Sequence, residues 1–301
     1  MIELSPSEAF IAYEAARSRM PKGIVGKPSP RRVNTLADLT DAFDVFLLDA
    51  FGVLNIGDQP IPGTPERVRD LQAMGKRVIV VSNAASVPVE DLLNKYKRLG
   101  YSFLRDDVIT SRKAAIAAVS AAPDIHWGVM GLSGVSMSDF GDVKWSLLED
   151  DPDTYSQVKG FLLLGSGEWT QDRHEILRKT LNERPRPVYV ANPDIVAPRV
   201  GALSSEPGFF GHDLAETAGI APVFFGKPFE NIYDIVFQQL PEADRSRVVM
   251  VGDSLHTDVL GAQAANIASV LVSGFGFFAG QDVDMAISQS GIVPDFIVDR
   301  P

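Results

Sequence analysis

The chain has 301 residues, with 28 Lys or Arg against 39 Asp or Glu, a formal net charge of −11, four His and no cysteine. Without cysteine there is no disulfide framework, no Cys-ligated zinc or iron–sulfur centre and no thiolate nucleophile, and the acidity argues against a broad nucleic-acid surface, which needs clustered Lys and Arg. At 45% hydrophobic and 22% charged the composition is that of an ordinary globular chain, long enough for two domains or for one core with a large insertion.

In chain order, Ser7 to Arg19 reads as a short helix, and Pro21 to Pro30 is rich in breakers and reads as an irregular arm. Together they form a leader, residues 1–34, expected to pack on the surface. Val45-Phe46-Leu47-Leu48 is a short, wholly apolar run closed by Asp49, the pattern of a buried strand. A helix is expected from Thr64-Pro65-Glu66, with Thr64 as N-cap, and a second strand at Val78 to Val81, ending in Ser82-Asn83. Strand, helix and strand at this spacing make a βαβ unit and imply a parallel sheet covered by helices on both faces. The same pattern resumes with Val223-Phe224-Phe225, a helix from Phe229 to Gln239, a strand at Val248 to Val251, a helix around Asp258 to Ala265 and a strand at Ala268 to Val272. Between the two halves, residues 87–200 carry their own helices (Val89 to Leu99, Ser111 to Ala121, Gln171 to Asn182) and strands (Gly128 to Gly131, Gly160 to Leu164, Val188 to Ala191). They read as an inserted domain joined to a core of residues 35–86 and 201–301 by linkers near Ser86 and Gly201.

Ligands of open parallel sheets bind at the carboxyl ends of the strands. The residues just beyond those ends are Asp49, Ser82, Lys227 after a short turn, and Asp253. Each alone has an ordinary reading as a turn or cap residue. Together they supply a carboxylate able to attack, a hydroxyl donor, a fixed ammonium and a second carboxylate. Such a set suits a phosphoryl group, whose transfer depends on positioning and on neutralising its equatorial oxygens. Two carboxylates in an all-oxygen setting favour Mg²⁺ over zinc.

The segments Phe46 to Leu54, Val80-Val81-Ser82-Asn83, Gly226-Lys227-Pro228 and Val251 to Asp258 resemble the four motifs of the haloacid dehalogenase-like (HAD) phosphatase superfamily. The insertion resembles the type IIA cap of its NagD and p-nitrophenyl phosphatase-like branch, a likeness that extends to Asn192-Pro193-Asp194. The resemblance implies an α/β fold: a Rossmann-like parallel-sheet core with helices on both faces, carrying an inserted α/β cap. By the same resemblance, Asp49 is the nucleophile that forms an aspartyl-phosphate, Ser82 and Lys227 bind the phosphoryl oxygens, and Asp253 ligates Mg²⁺. Asp258 supports Lys227 or the metal, and Asn83, Asn192 and Asp194 are candidate substrate contacts. The implied partner is a small phosphorylated metabolite, and a cap-mediated homodimer is a further expectation.

One position departs from the family. Its first motif has a second Asp, two residues after the nucleophile, as general acid and base; here that residue is Phe51. A metal contact made there through the backbone carbonyl is kept by Phe51, while the acid–base function is lost. That function is typically worth about 10²- to 10⁴-fold in rate. Three outcomes follow: a slow phosphatase, a phosphatase in which His256, Glu168 or Asp194 substitutes, or a relative that binds phosphate esters with little turnover. Gly252-Asp253-Ser254-Leu255 also spells the block of the GDSL esterases, but no histidine follows His256 to complete a later Asp and His pair. The glycines of Ser273 to Gly280 read as a loop at the rim of the site. No apolar run approaches a membrane span and the N-terminus lacks a secretory pattern, so a soluble, cytoplasmic protein is expected.

Overall fold

A computed structural model describes residues 2–199 and 202–301. Seven strands form one parallel sheet, in the spatial order Arg31–Arg32, Phe296–Val298, Ala268–Val272, Val248–Gly252, Val45–Leu48, Arg77–Ser82 and Val108–Thr110. The uninterrupted apolar runs follow from burial on both faces. Phe46 and Leu48 point into one core with Val78, Val80, Val249 and Val251, under the helices Thr64–Ala73 and Val89–Arg98. Val45 and Leu47 point the other way, against Ile232 and Val236 of the helix Glu230–Gln239. Fully burying one such side chain is worth about 1.5–3 kcal/mol.

A second parallel sheet has five strands, in the order Val223–Phe224, Val188–Val190, Gly160–Leu163, Trp127–Met130 and Trp145–Leu147. Leu177 and Leu181 of the helix Gln171–Glu183 and Phe210 and Leu214 of Pro207–Thr217 cover one face, and Ala115 and Val119 of Ser111–Ser120 cover the other.

These partners redraw the expected domain limits. Val108–Thr110 pairs with Arg77–Ser82 and extends the first sheet, so residues 87–110 do not belong to the insertion. Val223–Phe224, expected in the first sheet, pairs with Val188–Val190 in the second, and the helix Pro207–Thr217 packs there too. The insertion therefore runs from about Ser111 to Phe225, because sheet membership depends on a partner that a short apolar run does not specify. The expected junction at 200 and 201, with its hinge at Gly201, lies outside the described residues. Thr64 is not the N-cap: Gly63 caps the helix in the left-handed region at φ 84°, and Thr64 is buried in the first turn.

The leader is more than a surface segment. A capping box of Ser5 and Glu8 starts the helix Pro6–Ala16. Its Ala9, Tyr13 and Ala16 are buried against Leu203, Val259, Leu260, Leu271 and Phe277. Ahead of it, Glu3–Leu4 adds an antiparallel strand to the hairpin of Val196–Arg199 and Ala202–Ser205. The arm beyond is tied down by Lys27 to Asp295 at 2.8 Å and by the Ile24 amide to Gln263 Oε1 at 3.0 Å. Among the described residues no helix is long and apolar enough to cross a membrane.

Candidate active site

The carboxyl ends of the two sheets contribute to one cavity of about 310 Å³. Asp49, Phe51, Ser82 and Asp253 enter it from the seven-stranded sheet, and Asn192 and Asp194 from beyond the strand Val188–Val190 of the other. Asp49 follows Leu48 directly, and its N–H still bonds the Val251 carbonyl at 2.8 Å, so the last rung of the ladder aims the carboxylate. Lys227 follows the second sheet's edge strand and crosses back, placing Nζ 2.6 Å from Asp49 Oδ1 and 2.7 Å from Asp258 Oδ1. Asn83 fixes that crossing. Its Oδ1 accepts the Lys227 N–H at 2.7 Å, and its Nδ2 donates to the Lys227 carbonyl at 2.9 Å and to Asp194 Oδ1 at 2.8 Å. Gly226 sits at φ 119°, and a Cβ there would strike the Asn83 amide, so only glycine lets the two segments meet.

Asp49, Asp253 and Asp258 offer ligand atoms that all lie within 4.8 Å of one another. Asp258 comes from an unusually wide helical turn, Leu255–Val259, and both its oxygens are engaged: Oδ1 by Lys227, Oδ2 by the Ser254 N–H at 3.1 Å. Asp253 Oδ2 accepts the Phe277 N–H at 2.7 Å. Asp49 Oδ2 and Asp253 Oδ1 carry no hydrogen bond among the described residues. Burial, then repulsion from Asp49 and Asp258, pushes Asp253 well above the usual carboxyl range. Burial also raises Asp258, against the pull of Lys227. For Lys227 burial works against the ammonium, but Asp258 and Asp49 outweigh it and hold the lysine protonated. Three clustered carboxyl groups against one buried ammonium leave a deficit of positive charge. The donors are all oxygen, so a hard divalent cation fits the deficit.

Ser82 is buried at the cavity wall, its Oγ accepting the Ala84 N–H at 3.2 Å, which leaves the hydroxyl proton to the cavity. Asn83 lines the cavity, but both its N–H groups are spent on the protein, so it positions Lys227 and Asp194 rather than offering a donor to substrate. Asn192 accepts the Asp194 N–H at 3.0 Å and donates to Glu206 Oε2 at 3.2 Å. Burial raises Asp194 to about 7, with Lys227 opposing and Asp49 adding. The Phe51 ring lines the cavity with the Lys95 ammonium 4.9 Å from its centroid.

Of the proposed substitutes for the missing acid, Glu168 bonds the Ser133 amide and hydroxyl and does not line the cavity. His256 is buried, with Nε2 2.6 Å from Glu14 Oε1 and its ring stacked on Tyr13 at 4.8 Å. That pairing also turns the imidazole away from an esterase couple with Ser254. Three lining residues had no local sequence signal: Tyr13, Lys95 and Glu206. A fourth, Phe277, had a sign in Gly276, which at φ 68° lets the loop close on Asp253 where a Cβ would clash. The rim loop is thus the cradle of Asp253.

Two family models match the chain: haloacid dehalogenase-like hydrolase over residues 46–137 and HAD-hydrolase-like over residues 224–299. Among curated proteins, the 4-nitrophenylphosphatase of Schizosaccharomyces pombe is 24% identical over 280 residues, covering 87% of this chain and 93% of that protein. The human glycerol-3-phosphate phosphatase is 26% identical, covering 85% and 88%. Among solved structures, a possible sugar phosphatase of the HAD superfamily from Cytophaga hutchinsonii superposes with a TM-score of 0.79 at 24% identity, over 90% of this chain and 98% of that one. The motif order, the parallel sheet that carries it and these matches agree: the chain belongs to the haloacid dehalogenase-like hydrolases, in the NagD and p-nitrophenyl phosphatase-like branch, subfamily IIA.

Proposed function

We propose that the chain is a magnesium-dependent phosphatase that hydrolyses small phosphomonoesters through an aspartyl-phosphate on Asp49. The observation that carries this reading is the Asp49 carboxylate held 2.6 Å from a buried lysine, beside two further carboxyl groups, in a cavity sized for a small molecule. The names of the relatives, phosphatases of different small esters, agree with it.

Asp49 Oδ2 attacks phosphorus and the ester P–O bond breaks, releasing the alcohol oxygen, while Lys227 and the Ser82 hydroxyl take up charge on the equatorial oxygens. Water then cleaves the acyl-phosphate and frees Asp49. Asp49, Asp253 and the Phe51 carbonyl would hold the metal, with Asp258 behind them, and the ion would supply charge neutralisation to the phosphoryl group. Asp258 and Asn83 act through Lys227: one fixes its charge, the other its backbone. Phe51 supplies no proton, so turnover of esters with poor leaving groups is expected to be modest. The same residue favours a second reading, a binder of phosphate esters with little turnover.

Phosphate release from p-nitrophenyl phosphate and from a panel of phosphorylated metabolites, with magnesium and with Asp49→Asn as control, decides between the two. Magnesium-dependent release that the control abolishes supports the phosphatase. Equal rates for both proteins would sink the covalent mechanism.

A further inference from the structure

Phe51 leaves the reaction without an obvious proton carrier. An alkoxide or phenoxide leaving group must be protonated, and the water that resolves the acyl-phosphate must lose a proton. Of the three residues the sequence offered, only Asp194 lines the cavity; Glu168 and His256 are occupied outside it.

Asp194 is also placed with care. Oδ1 is held by Asn83, whose amide grips both backbone groups of Lys227, so carboxyl and lysine share one fixed reference. Its own N–H is bonded to Asn192, and the next amide, Ile195, donates to the Tyr13 hydroxyl at 3.1 Å. Tyr13 is in turn stacked on His256, which Glu14 holds. Asp194 Oδ2 carries no hydrogen bond among the described residues. We propose that Asp194 is the proton carrier of this site, a catalytic residue that gives its proton to the leaving oxygen and takes one back from water, while Tyr13 positions it from the leader.

The steps balance. In the first, the bond from Asp49 Oδ2 to phosphorus forms, the ester P–O bond breaks, and the Asp194 proton moves to the departing oxygen, giving the free alcohol and an Asp194 carboxylate. In the second, water oxygen bonds phosphorus, the Asp49–phosphorus bond breaks, and a water proton returns to Asp194, leaving phosphate and the Asp49 carboxylate. The groups that set the charge of Asp194 are Lys227, Asp49 and Glu206, with Asn83 bonded to it and the Tyr13 ring nearby. Desolvation, the largest influence, leaves it near 7, where one carboxyl can serve both steps at neutral pH.

The proposal rests on the phosphatase reading above, and the experiment separates the two. Wild type, Asp194→Asn, Tyr13→Phe and the double variant Asp194→Asn/Phe51→Asp are compared on a series of substituted phenyl phosphates with magnesium. Acid-quenched samples are weighed intact for a phosphorylated form. Asp194→Asn should lower kcat/KM on phenyl phosphate by about 10²- to 10⁴-fold and on p-nitrophenyl phosphate much less, steepening the dependence on leaving-group basicity. The wild-type loss of kcat/KM above about pH 7 should vanish. Its phosphorylated form should accumulate, since the second step lacks its base. Tyr13→Phe should shift the same quantities in the same direction by less, and the double variant should recover much of the loss by restoring a carboxyl at position 51. An equal drop on both substrates with an unchanged pH limb, or a double variant no better than Asp194→Asn, overturns the role of Asp194 and leaves the phosphatase standing. Absence of both turnover and a phosphorylated form in wild type overturns the phosphatase and the proposal with it.

Discussion

The seven-stranded and five-stranded sheets are built alike, yet they contribute differently to the site. Both are parallel, and both are buried on two faces by aliphatic and aromatic side chains. Past its strands, the first presents Asp49, Ser82 and Asp253, the two carboxyl groups and the hydroxyl to which the proposed function gives attack, metal binding and donation. The second presents Asn192, Asp194 and, past its edge strand, Lys227, which completes a site seated mainly on its neighbour. The same layer architecture can therefore be a platform for chemistry or a wall that closes it. What separates them is the polarity of a few residues beyond each strand and which partner each strand finds.

The division of labour can be broken at four points. Asp49→Asn, at the first sheet, should lower phosphate release by about 10⁴-fold or more, because no other described group can take its place in the covalent step. Lys227→Met, at the crossing from the second sheet, should leave Asp49 and Asp258 facing each other uncompensated. Loss of one partner from a buried charge cluster costs about 3–5 kcal/mol, readable as a lower urea midpoint without magnesium.

Magnesium itself should stabilise the chain, by about 2.7 kcal/mol at a hundredfold excess over its dissociation constant. The gain should be larger at pH 8 than at pH 6. Burial raises Asp194 to about 7 and lifts Asp253 and Asp258 as well, so the metal-free fold binds more protons than the unfolded chain. Its stability then falls as pH rises from the ordinary carboxyl range through about 7, and the cation replaces the missing protons. Equal shifts in melting temperature at the two pH values would break this account.

The smallest effect concerns the leader. Arg19 Nε donates to His212 Nδ1 at 3.2 Å, and the imidazole stacks on Phe224 at 4.5 Å, joining the leader to the second sheet's layer. Burial, then Arg19, lowers His212 to about 4, so its contribution is complete above the ordinary histidine value and is lost as pH falls toward 4. The wild type should lose roughly 1–2 kcal/mol more than His212→Gln between pH 7 and pH 5 in denaturant titrations.

Much of the core was legible. Short apolar runs at residues 45–48, 78–81, 248–251 and 268–272 read as buried strands, as the fold has them, and the polar residues just beyond three of them line one cavity. Strand-end position singled out Asp49, Ser82, Lys227 and Asp253, the family resemblance added Asp258, and the fold brings the five side chains together. The Asn83 amide reads as a substrate contact in isolation and is engaged by Lys227 and Asp194 in the fold. Val223–Phe224 was a strand as expected but in the other sheet, since two residues cannot encode a neighbour. Tyr13 and Glu14 were invisible, because their partners Ile195 and His256 lie about 180 and 240 residues away.

The sequence by itself determined which polar groups stand at the ends of the core strands, because apolar periodicity and strand-end chemistry are local properties. Set beside the family motif, it also showed Phe51 where an Asp is usual. Tertiary structure alone decided which of the candidate groups faces the cavity, which histidine is tied down elsewhere, and that the leader braces the backbone next to Asp194. Those outcomes depend on desolvation and on contacts between distant segments, and neither exists until the chain is folded.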